Sequence, residues 1–274
     1  MLKYKHYTIY TSMTAFSEQQ TKAFQHYCCG DNVFITGPGG SGKSHLIRHI
    51  KSDATQKNKA VQVCALTGTA AVLLECSAKT VHSWGGIGLA NGNQQDIVNR
   101  VAKNSSKSKV WRNIELLIID EVSMMSASLL ELLDMIAKRC RRNTRPFGGI
   151  QVIFSGDFFQ LPPVCINSDD VKKSQFCFES PIWNEIFAIE SHIQLTTIYR
   201  QEDAAYKQIL NEVRVGRMSD NTIRLLEECV KKTPDPNDSV LPTILFPTRN
   251  QVESINKRSL MSLSGDEFNF KYKI

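Results

Sequence analysis

The 274-residue sequence predicts an α/β fold built on a largely parallel sheet. Short apolar segments alternate with longer segments of helical periodicity, which is the pattern of strand–helix–strand units. One short segment, Leu116–Ile119, is apolar throughout, as expected for a strand that helices cover on both faces. The sequence contains no apolar stretch of about 18 residues or more, so it predicts no membrane-spanning helix.

The apolar runs predict six strands: Val33–Thr36, Val61–Leu66, Leu116–Ile119, Val152–Ser155, Ile193–Leu195 and Thr243–Phe246. Helical periodicity predicts six helices: Ser17–Cys28, Lys43–Ser52, Thr69–Leu74, Ser126–Arg141, Ala204–Val215 and Thr222–Lys231. The polar stretch Asn91–Lys109 is the most loop-like part of the interior. One strand–helix series ends near residue 190 and another begins there, so we expect a domain boundary at that point.

The composition is that of an ordinary soluble globular protein, with 42% apolar and 22% charged residues. The formal net charge of +6 only weakly favours polyanionic partners. The eight cysteines form neither a C-x-x-C pair nor a Cys–His spacing typical of zinc sites, which favours reduced thiols in an intracellular protein. The first dozen residues show no targeting pattern, so a nuclear, mitochondrial or cytoplasmic location, including a viral replication site, stays open.

A glycine-rich segment connects the first predicted strand to the next helix and fits the phosphate-binding pattern G-x-x-x-x-G-K-[ST]. Its residues are Gly37, Pro38, Gly39, Gly40, Ser41, Gly42, Lys43 and Ser44. Glycines allow the backbone N–H groups to wrap a phosphate, and the helix that follows presents its positive end to the same anion. We expect Lys43 to reach the β- and γ-phosphates of ATP and Ser44 to bind Mg²⁺. The alternative, a turn that only connects two elements, is disfavoured by this position.

Acidic and amide side chains follow two further predicted strands. Asp120 and Glu121 end the strand at Leu116–Ile119, and Gln160 lies just beyond the strand at Val152–Ser155. Ligands of open α/β sheets bind at this carboxyl edge. We expect Asp120 to hold Mg²⁺, Glu121 to accept a proton from the attacking water, and Gln160 to sense the γ-phosphate. Taken alone, Gln160 could equally be a surface residue of a proline-stiffened loop.

Together these motifs resemble the catalytic core of the Pif-type (petite integration frequency) DNA helicases, in the RecD-like branch of helicase superfamily 1. The resemblance covers roughly residues 14–260. The phosphate-binding motif alone defines only a broad class of NTPases, whereas the later segments are specific to this family. Besides that motif, the matching segments are Phe16-Ser-Glu-Gln-Gln20, Thr67-Gly-Thr-Ala-Ala71, Thr80-Val-His-Ser-Trp84, Gly86-Ile-Gly88, Ile119-Asp-Glu-Val-Ser-Met124, Ser155-Gly-Asp-Phe-Phe-Gln-Leu-Pro-Pro163 and Leu195-Thr-Thr-Ile-Tyr-Arg-Gln201.

The resemblance implies a RecA-like parallel sheet flanked by helices. It divides the chain into an N-terminal extension (1–14), an ATPase lobe (15–190) with a small accessory element at about 85–110, and part of a second RecA-like lobe (191–274). It also implies that Gln20 reads adenine and that Arg200 reaches the γ-phosphate. Without the resemblance, both would be read as surface residues. The implied catalytic residues are Lys43, Asp120, Glu121, Gln160 and Arg200, with Mg²⁺ held by Ser44 and Asp120.

The resemblance further implies a path for single-stranded DNA. Its predicted residues are Thr67, Gly68, Thr69, Ala70, His82, Ser83, Trp84 and Phe158. Trp84 and either Phe158 or Phe159 are candidate platforms for base stacking, with core packing as the alternative. Two basic groups are weaker candidates, since charge runs are usually solvated. They are Lys138–Arg145 and the cluster Lys103, Lys107, Lys109 and Arg112.

The implied function is an ATP-dependent 5′-to-3′ DNA helicase that acts as a monomer on single-stranded and forked DNA, in replication, repair, recombination and telomere maintenance. The family's motifs V and VI do not follow Arg200 in this sequence. We therefore expect the first lobe and the beginning of the second, either as a fragment or as a naturally short product. The alternative function is a nucleotide- and DNA-binding module without unwinding activity. An unrelated P-loop kinase is disfavoured by the contexts of Gln20, Gln160 and Arg200.

Overall fold

The computed structural model describes residues 16–164, 174–232, 243–265 and 268. The predicted N-terminal extension (1–14) lies outside these residues. Contacts divide the chain into two compact units, Met1–Ser219 and Asp220–Ile274. Within the described ranges, no helix combines the length and the apolar character that crossing a membrane requires.

The first unit is built on a six-stranded sheet in the order β3-β2-β4-β5-β1-β6, and every pair of neighbouring strands is parallel. The predicted α/β class is thus confirmed. The strands are β1 (Val33–Thr36), β2 (Val61–Ala65), β3 (Lys79–Thr80), β4 (Leu116–Asp120), β5 (Gln151–Ser155) and β6 (His192–Gln194).

Helices connect the strands and cover both faces of the sheet. Those of the first unit are α1 (Glu18–Cys29), α2 (Lys43–Gln56), α3 (Gly68–Leu73), α4 (Val81–Gly85), α5 (Gln94–Lys103), α6 (Ser105–Asn113), α7 (Ala127–Arg141), α8 (Trp183–Ile186) and α9 (Ala204–Val215). The second unit contains α10 (Asp220–Val230) and α11 (Arg249–Met261).

Two hydrophobic cores lie on opposite faces of the sheet, and β4 contributes to both. Leu116 and Ile118 pack with side chains of α1, α2 and α3, whereas Leu117 and Ile119 pack with side chains of α5, α6 and α7. All four side chains are fully buried. Successive side chains of a strand point to opposite faces, which explains why this strand is apolar at every position.

Two predictions of local structure are wrong. Thr243–Phe246 forms no strand, and Leu245 is 89% exposed. The described part of the second unit has no other strand with which it could pair, and unpaired strands are not stable. The stretch Asn91–Lys109 is not a loop but contains α5 and the beginning of α6, whose N-termini are capped by Asn93 and Asn104. Its polar composition reflects helices that bury only one face.

The strand expected to open a second domain belongs instead to the first sheet. In β6, His192 and Ile193 pair with Phe34 and Ile35 of β1. The contacts divide the chain after Ser219 rather than near residue 190. That the remaining residues form part of a second RecA-like lobe stays a prediction.

The packing of α6 on α4 yields a first test. Trp111 is fully buried, its indole N–H donates to the Gly85 carbonyl at 3.1 Å, and its ring lies 4.5 Å from that of Trp84 between centroids. Because Trp111→Ala leaves a large cavity, we expect it to lower the free energy of unfolding by about 3–5 kcal/mol in urea denaturation. The preceding residue, Val110, is exposed, and the control Val110→Ala should change the free energy of unfolding by about 0.5 kcal/mol at most. Similar losses in both variants would contradict this packing.

Candidate active site

The carboxyl edge of the sheet brings the predicted nucleotide residues together. The phosphate-binding loop Gly37–Ser44 follows β1, Asp120 ends β4, and Asp157 follows β5. Since β5 lies between β1 and β4 in the sheet, these three chain segments are neighbours. Ligands of parallel sheets bind at such an edge, so the topology itself creates the candidate site.

The phosphate-binding loop has a backbone that only glycine adopts easily. Gly37, Gly40 and Gly42 have φ values of 145°, 80° and 87°. A Cβ on Gly37 would lie 2.4 Å from the carbonyl oxygen of Leu195, and one on Gly42 would lie 2.5 Å from the Gln20 side-chain nitrogen. The loop is therefore enclosed tightly by residues that precede and follow it in the sequence.

Lys43, at the start of α2, lies over this loop. Its ammonium donates to the carbonyl oxygens of Gly37 at 2.7 Å and Pro38 at 3.0 Å. Burial lowers the pKa of Lys43, and the carboxylates of Asp157, Asp120 and Glu121 oppose that shift. The site thus holds a partly desolvated cation among three acids.

Gln20 lies against the phosphate-binding loop and is only 3% exposed. Its amide oxygen accepts from the backbone N–H of Ser17 at 3.0 Å, which completes a capping box at the start of α1. Its amide nitrogen donates to the carbonyl oxygen of Gly42 at 3.4 Å. The structure therefore gives Gln20 a place beside the loop, while its predicted reading of adenine stays a prediction.

Asp120 is the last residue of β4, and Glu121 begins the turn that follows. Burial raises the pKa of Asp120. The nearby Ser155 hydroxyl, the Glu121 backbone N–H and the Lys43 ammonium lower it, but burial is the larger effect. Burial and the negative charge of Asp120 also raise the pKa of Glu121. Glu121 has φ 57° and ψ 40°, a left-handed conformation that is uncommon for residues other than glycine. Such backbone strain concentrates at functional sites.

This turn touches the turn after β5 through its backbone. A Cβ on Gly156 would lie 2.9 Å from the backbone nitrogen of Val122 and 3.1 Å from that of Ser123. Glycine at position 156 is therefore what permits the two turns to lie side by side.

The turn after β5 is organised by Asp157, which is 1% exposed. Its carboxylate accepts two hydrogen bonds of 2.7 Å from the guanidinium of Arg214 in α9, and further bonds of 3.2 Å from the Phe159 backbone N–H and the Gln160 amide nitrogen. Burial alone would raise the pKa of Asp157, but these partners outweigh it and hold the pKa below its ordinary value.

Sequence reasoning gave no role to Asp157 or Arg214. Asp157 lies inside a matching segment, so its position could have drawn attention to it. Arg214 lies in the last turn of a helix, where a basic residue is common for reasons of helix polarity alone. Nothing in the sequence connects two residues 57 positions apart.

The segment after β6 also contacts the phosphate-binding loop. The backbone N–H of Tyr199 donates to the Gly40 carbonyl at 2.9 Å, and a Cβ on Gly40 would lie 2.5 Å from Cβ of Arg200. The predicted catalytic Arg200 is thus beside the loop, with an exposed side chain. Two polar atoms there, Oγ of Ser41 and Oε1 of Gln201, are buried without a hydrogen-bond partner in the described part of the chain.

The predicted DNA residues other than Phe158 follow β2 and β3 at the same edge of the sheet, and Phe158 follows β5. The Thr67 hydroxyl accepts from the backbone N–H of Ala70 at 3.2 Å and so caps α3, while Gly68, Thr69 and Ser83 are exposed. Burial lowers the pKa of His82, so its ring stays neutral at physiological pH.

Trp84 was predicted as a base-stacking platform, and the structure contradicts this. Its side chain is 6% exposed and packs against Trp111 in the core. Phe158 is also partly buried, in contact with the rings of Phe34, Phe178 and Trp183. Phe159, by contrast, is 61% exposed. Of the aromatic candidates, Phe159 is the one with a ring that a base could reach.

The basic end of α7 is partly engaged in the fold. The guanidinium of Arg141 donates to the carbonyl oxygens of Trp111, Arg112, Ile114 and Gly148. Lys138 forms a 2.6 Å ion pair with Asp134. Arg141 therefore holds α7 to its neighbours, whereas the Lys138–Asp134 pair lies within α7 itself. Both cations already have partners in the fold, which makes them weaker candidates for binding DNA.

Comparison with known proteins gives a consistent result. A family model described as PIF1-like helicase matches residues 15–224. The ATP-dependent DNA helicase RRM3 of Saccharomyces cerevisiae is 38% identical over 242 residues, which are 88% of this chain and 33% of that protein. The chain thus spans about a third of the length of this relative.

Solved structures agree in fold. The crystal structure of Pif1 helicase from Candida albicans superposes with a TM-score of 0.82 at 37% identity, over 93% of this chain and 56% of that one. The Pif1 helicase from Bacteroides, in complex with ADP-AlF3 and single-stranded DNA, gives a TM-score of 0.75 at 27% identity, over 93% and 59% of the two chains.

The buried charge of Asp120 leads to a prediction about pH. Because burial raises its pKa, the ionised carboxylate destabilises the ligand-free fold at neutral pH, and this cost disappears as the pH falls through the raised pKa. We expect Asp120→Asn to melt at a higher temperature than the parent chain at about pH 7, with a difference that shrinks towards acid pH. The exposed control Glu190→Gln should show no such trend. A lower melting temperature for Asp120→Asn at neutral pH would refute it.

Proposed function

Since the chain belongs to the PIF1-like helicase family, we propose that it is the nucleotide-binding part of an ATP-dependent DNA helicase. In this proposal, ATP binds at the carboxyl edge of the sheet and its hydrolysis drives 5′-to-3′ movement along single-stranded DNA and unwinding of the duplex.

The observation that carries the proposal is the placement of Lys43. Its ammonium lies over a glycine loop and close enough to Asp120, Glu121 and Asp157 for their charges to act on its pKa. The arrangement supports phosphate binding, because the loop amides and this ammonium form a positive cradle. The buried, unpartnered hydroxyl of Ser41 in the same loop suits a ligand rich in oxygen atoms.

The chain's own groups can perform hydrolysis in defined roles. Lys43 exchanges its present carbonyl partners for the β- and γ-phosphates, whose negative charge it stabilises in the transition state. Glu121, with its raised pKa, is the general base that accepts a proton from the attacking water. The amide of Gln160 orients that water, and the exposed guanidinium of Arg200 reaches the γ-phosphate. Gln20 contributes adenine selectivity.

Magnesium fits this site. Mg²⁺ prefers oxygen ligands and is commonly held by one or two protein groups together with the phosphates of the substrate. Ser44 and Asp120 supply a hydroxyl and a carboxylate, and a bound cation would favour the ionised form of the buried Asp120. Among the described residues, no cluster of three or more acidic, histidine or cysteine side chains could hold a metal by itself, which suits an ion shared with the nucleotide. When bound, Mg²⁺ would neutralise charge on the phosphates.

The proposed DNA path crosses the exposed backbone and hydroxyl groups at Thr67–Thr69 and Ser83. Small residues let the DNA backbone approach closely, and hydroxyl contacts position phosphates without reading sequence. The partners in this proposal are single-stranded and forked DNA, bound by a monomer inside the cell. The Bacteroides Pif1 complex, which contains single-stranded DNA, supports the same class of partner.

A second candidate function is a module that binds nucleotide and single-stranded DNA without unwinding. The part of the chain that the structure describes supports it, because the nucleotide residues and the predicted DNA path all lie in the first unit. Translocation requires two lobes that close around ATP, and the described residues of the second unit contain helices but no strand.

The first experiment measures ATP hydrolysis by this chain with and without single-stranded DNA. We expect DNA-stimulated turnover that is lost in Lys43→Ala, which no longer binds the phosphates, and in Glu121→Gln, which still binds ATP. Removing either group should reduce the rate by about 100-fold or more. Binding of ATP and DNA without turnover would select the second function. No nucleotide binding by the unsubstituted chain would overturn both.

The affinity for single-stranded DNA should fall steeply with salt, since log K decreases by about 0.7 per phosphate contact for each unit of log salt concentration. Homopolymers of thymine, cytosine and adenine should bind alike when measured by fluorescence anisotropy. Thr69→Glu places a negative charge on the predicted path and should weaken binding severalfold at low salt. The control is Thr55→Glu, an exposed position in the last turn of α2, at the opposite edge of the sheet. This variant should bind DNA like the parent chain. Binding that ignores salt would exclude a phosphate-dominated interface.

A further inference from the structure

We propose that Arg214 is a positioning residue of the nucleotide site: it fixes Asp157 and, through it, the amide of Gln160, so that the site distinguishes a nucleoside triphosphate from a diphosphate. This inference rests on the proposed function, because it concerns the same site. It assigns a role to a residue that lies outside the phosphate-binding loop and outside the acidic turn.

The geometry of the Arg214–Asp157 pair is that of a clamp. Nε and Nη2 of Arg214 donate to the two carboxylate oxygens of Asp157, each at 2.7 Å, and form a bidentate pair. The Asp157 carboxylate is 1% exposed and the Arg214 side chain 17%. The guanidinium also lies 4.5 Å from the centre of the Phe159 ring, which restricts it further.

The clamp acts directly on Gln160. The oxygen of Asp157 that accepts from Nε of Arg214 also accepts from the side-chain nitrogen of Gln160 at 3.2 Å. One amide hydrogen of Gln160 is thereby committed, and its amide plane is fixed. The amide oxygen and the second amide hydrogen are left for water or a phosphate oxygen. Without Arg214, Asp157 would keep its charge but lose the partner that sets its orientation.

Arg214 also weakens the electrostatic attraction between Asp157 and Lys43. Asp157 is the carboxylate that acts most strongly on Lys43, and Arg214 neutralises it. An Asp157 without its arginine would compete for the ammonium that the γ-phosphate needs. Loss of Arg214 would therefore release the amide of Gln160 and let Asp157 compete for Lys43. Both consequences weaken the binding of a triphosphate more than that of a diphosphate, which lacks the γ-phosphate.

The remainder of α9 does not explain why Arg214 is so firmly held. The helix buries none of its side chains, and the side chains of Tyr206 and Val213 are about half exposed. A helix that merely packed on the sheet would bury an apolar stripe. This helix instead contacts the site through a charged residue in its last turn.

The test compares affinities for ADP and for a slowly hydrolysed ATP analogue, measured by calorimetry on the whole chain. We expect Arg214→Gln to reduce the preference for the triphosphate by about fivefold or more, with a smaller change in ADP affinity. Arg214→Lys, which keeps the charge but not the bidentate geometry, should lie between. The matched control is Arg217→Gln, an exposed arginine just beyond the same helix, which should retain the preference of the parent.

Removing Arg214 leaves Asp157 unpaired, so thermal melting is recorded for every variant. The double variant Arg214→Gln with Asp157→Asn removes both charges. We expect it to fold and to show a reduced preference for the triphosphate that is closer to the parent's than that of Arg214→Gln, because an uncharged residue 157 no longer competes for Lys43. An unchanged preference in the folded variants, or equal losses for ADP and the analogue, would overturn the inference and leave Arg214 a purely structural residue. Failure of the unsubstituted chain to bind either nucleotide would overturn the proposed function, and this inference with it.

Discussion

The partly buried ammonium of Lys43 is the constraint on which the rest of the candidate site depends. A cation in this position is tolerated only if groups of opposite charge or polarity surround it. The fold supplies them from neighbouring strands: two loop carbonyls beyond β1, the acids that end β4, and Asp157 beyond β5. The parallel order of these strands, rather than any local motif, brings them to one point.

The same constraint explains why the chain returns to the site after leaving the sheet. From β6 onward, the backbone N–H of Leu195 donates to Thr36 and that of Tyr199 donates to Gly40. Arg214 then neutralises Asp157 from the far end of α9. Three contacts therefore bind one continuous segment to the phosphate-binding loop and to the turn after β5. Groups remote in sequence share the task of holding a small cluster of charges in place.

The parts of this structure that depend on local pattern could be predicted from the sequence. Apolar runs located five of the six strands, and the glycine spacing located the loop with Lys43 and Ser44. Prediction failed where distant partners decide the outcome. Thr243–Phe246 has the composition of a strand but no described neighbouring strand to pair with. Trp84 was a candidate for base stacking, but Trp111 of α6 packs against its ring in the core. The pairing of Asp157 with Arg214 is likewise invisible until the helix is placed in space.

The contact between Gly156 and the backbone at Val122 has a consequence for inherited variation. Any side chain at position 156 must push apart the turn that carries Glu121 and the turn that carries Gln160, because the three atoms nearest to its Cβ all belong to Val122 and Ser123 and none to the loop Gly37–Ser44. An alanine allele at this position would therefore separate two properties that are usually lost together. Under the proposed function, its product would still capture nucleotide, but the carboxylate of Glu121 and the amide of Gln160 would no longer meet at the same water.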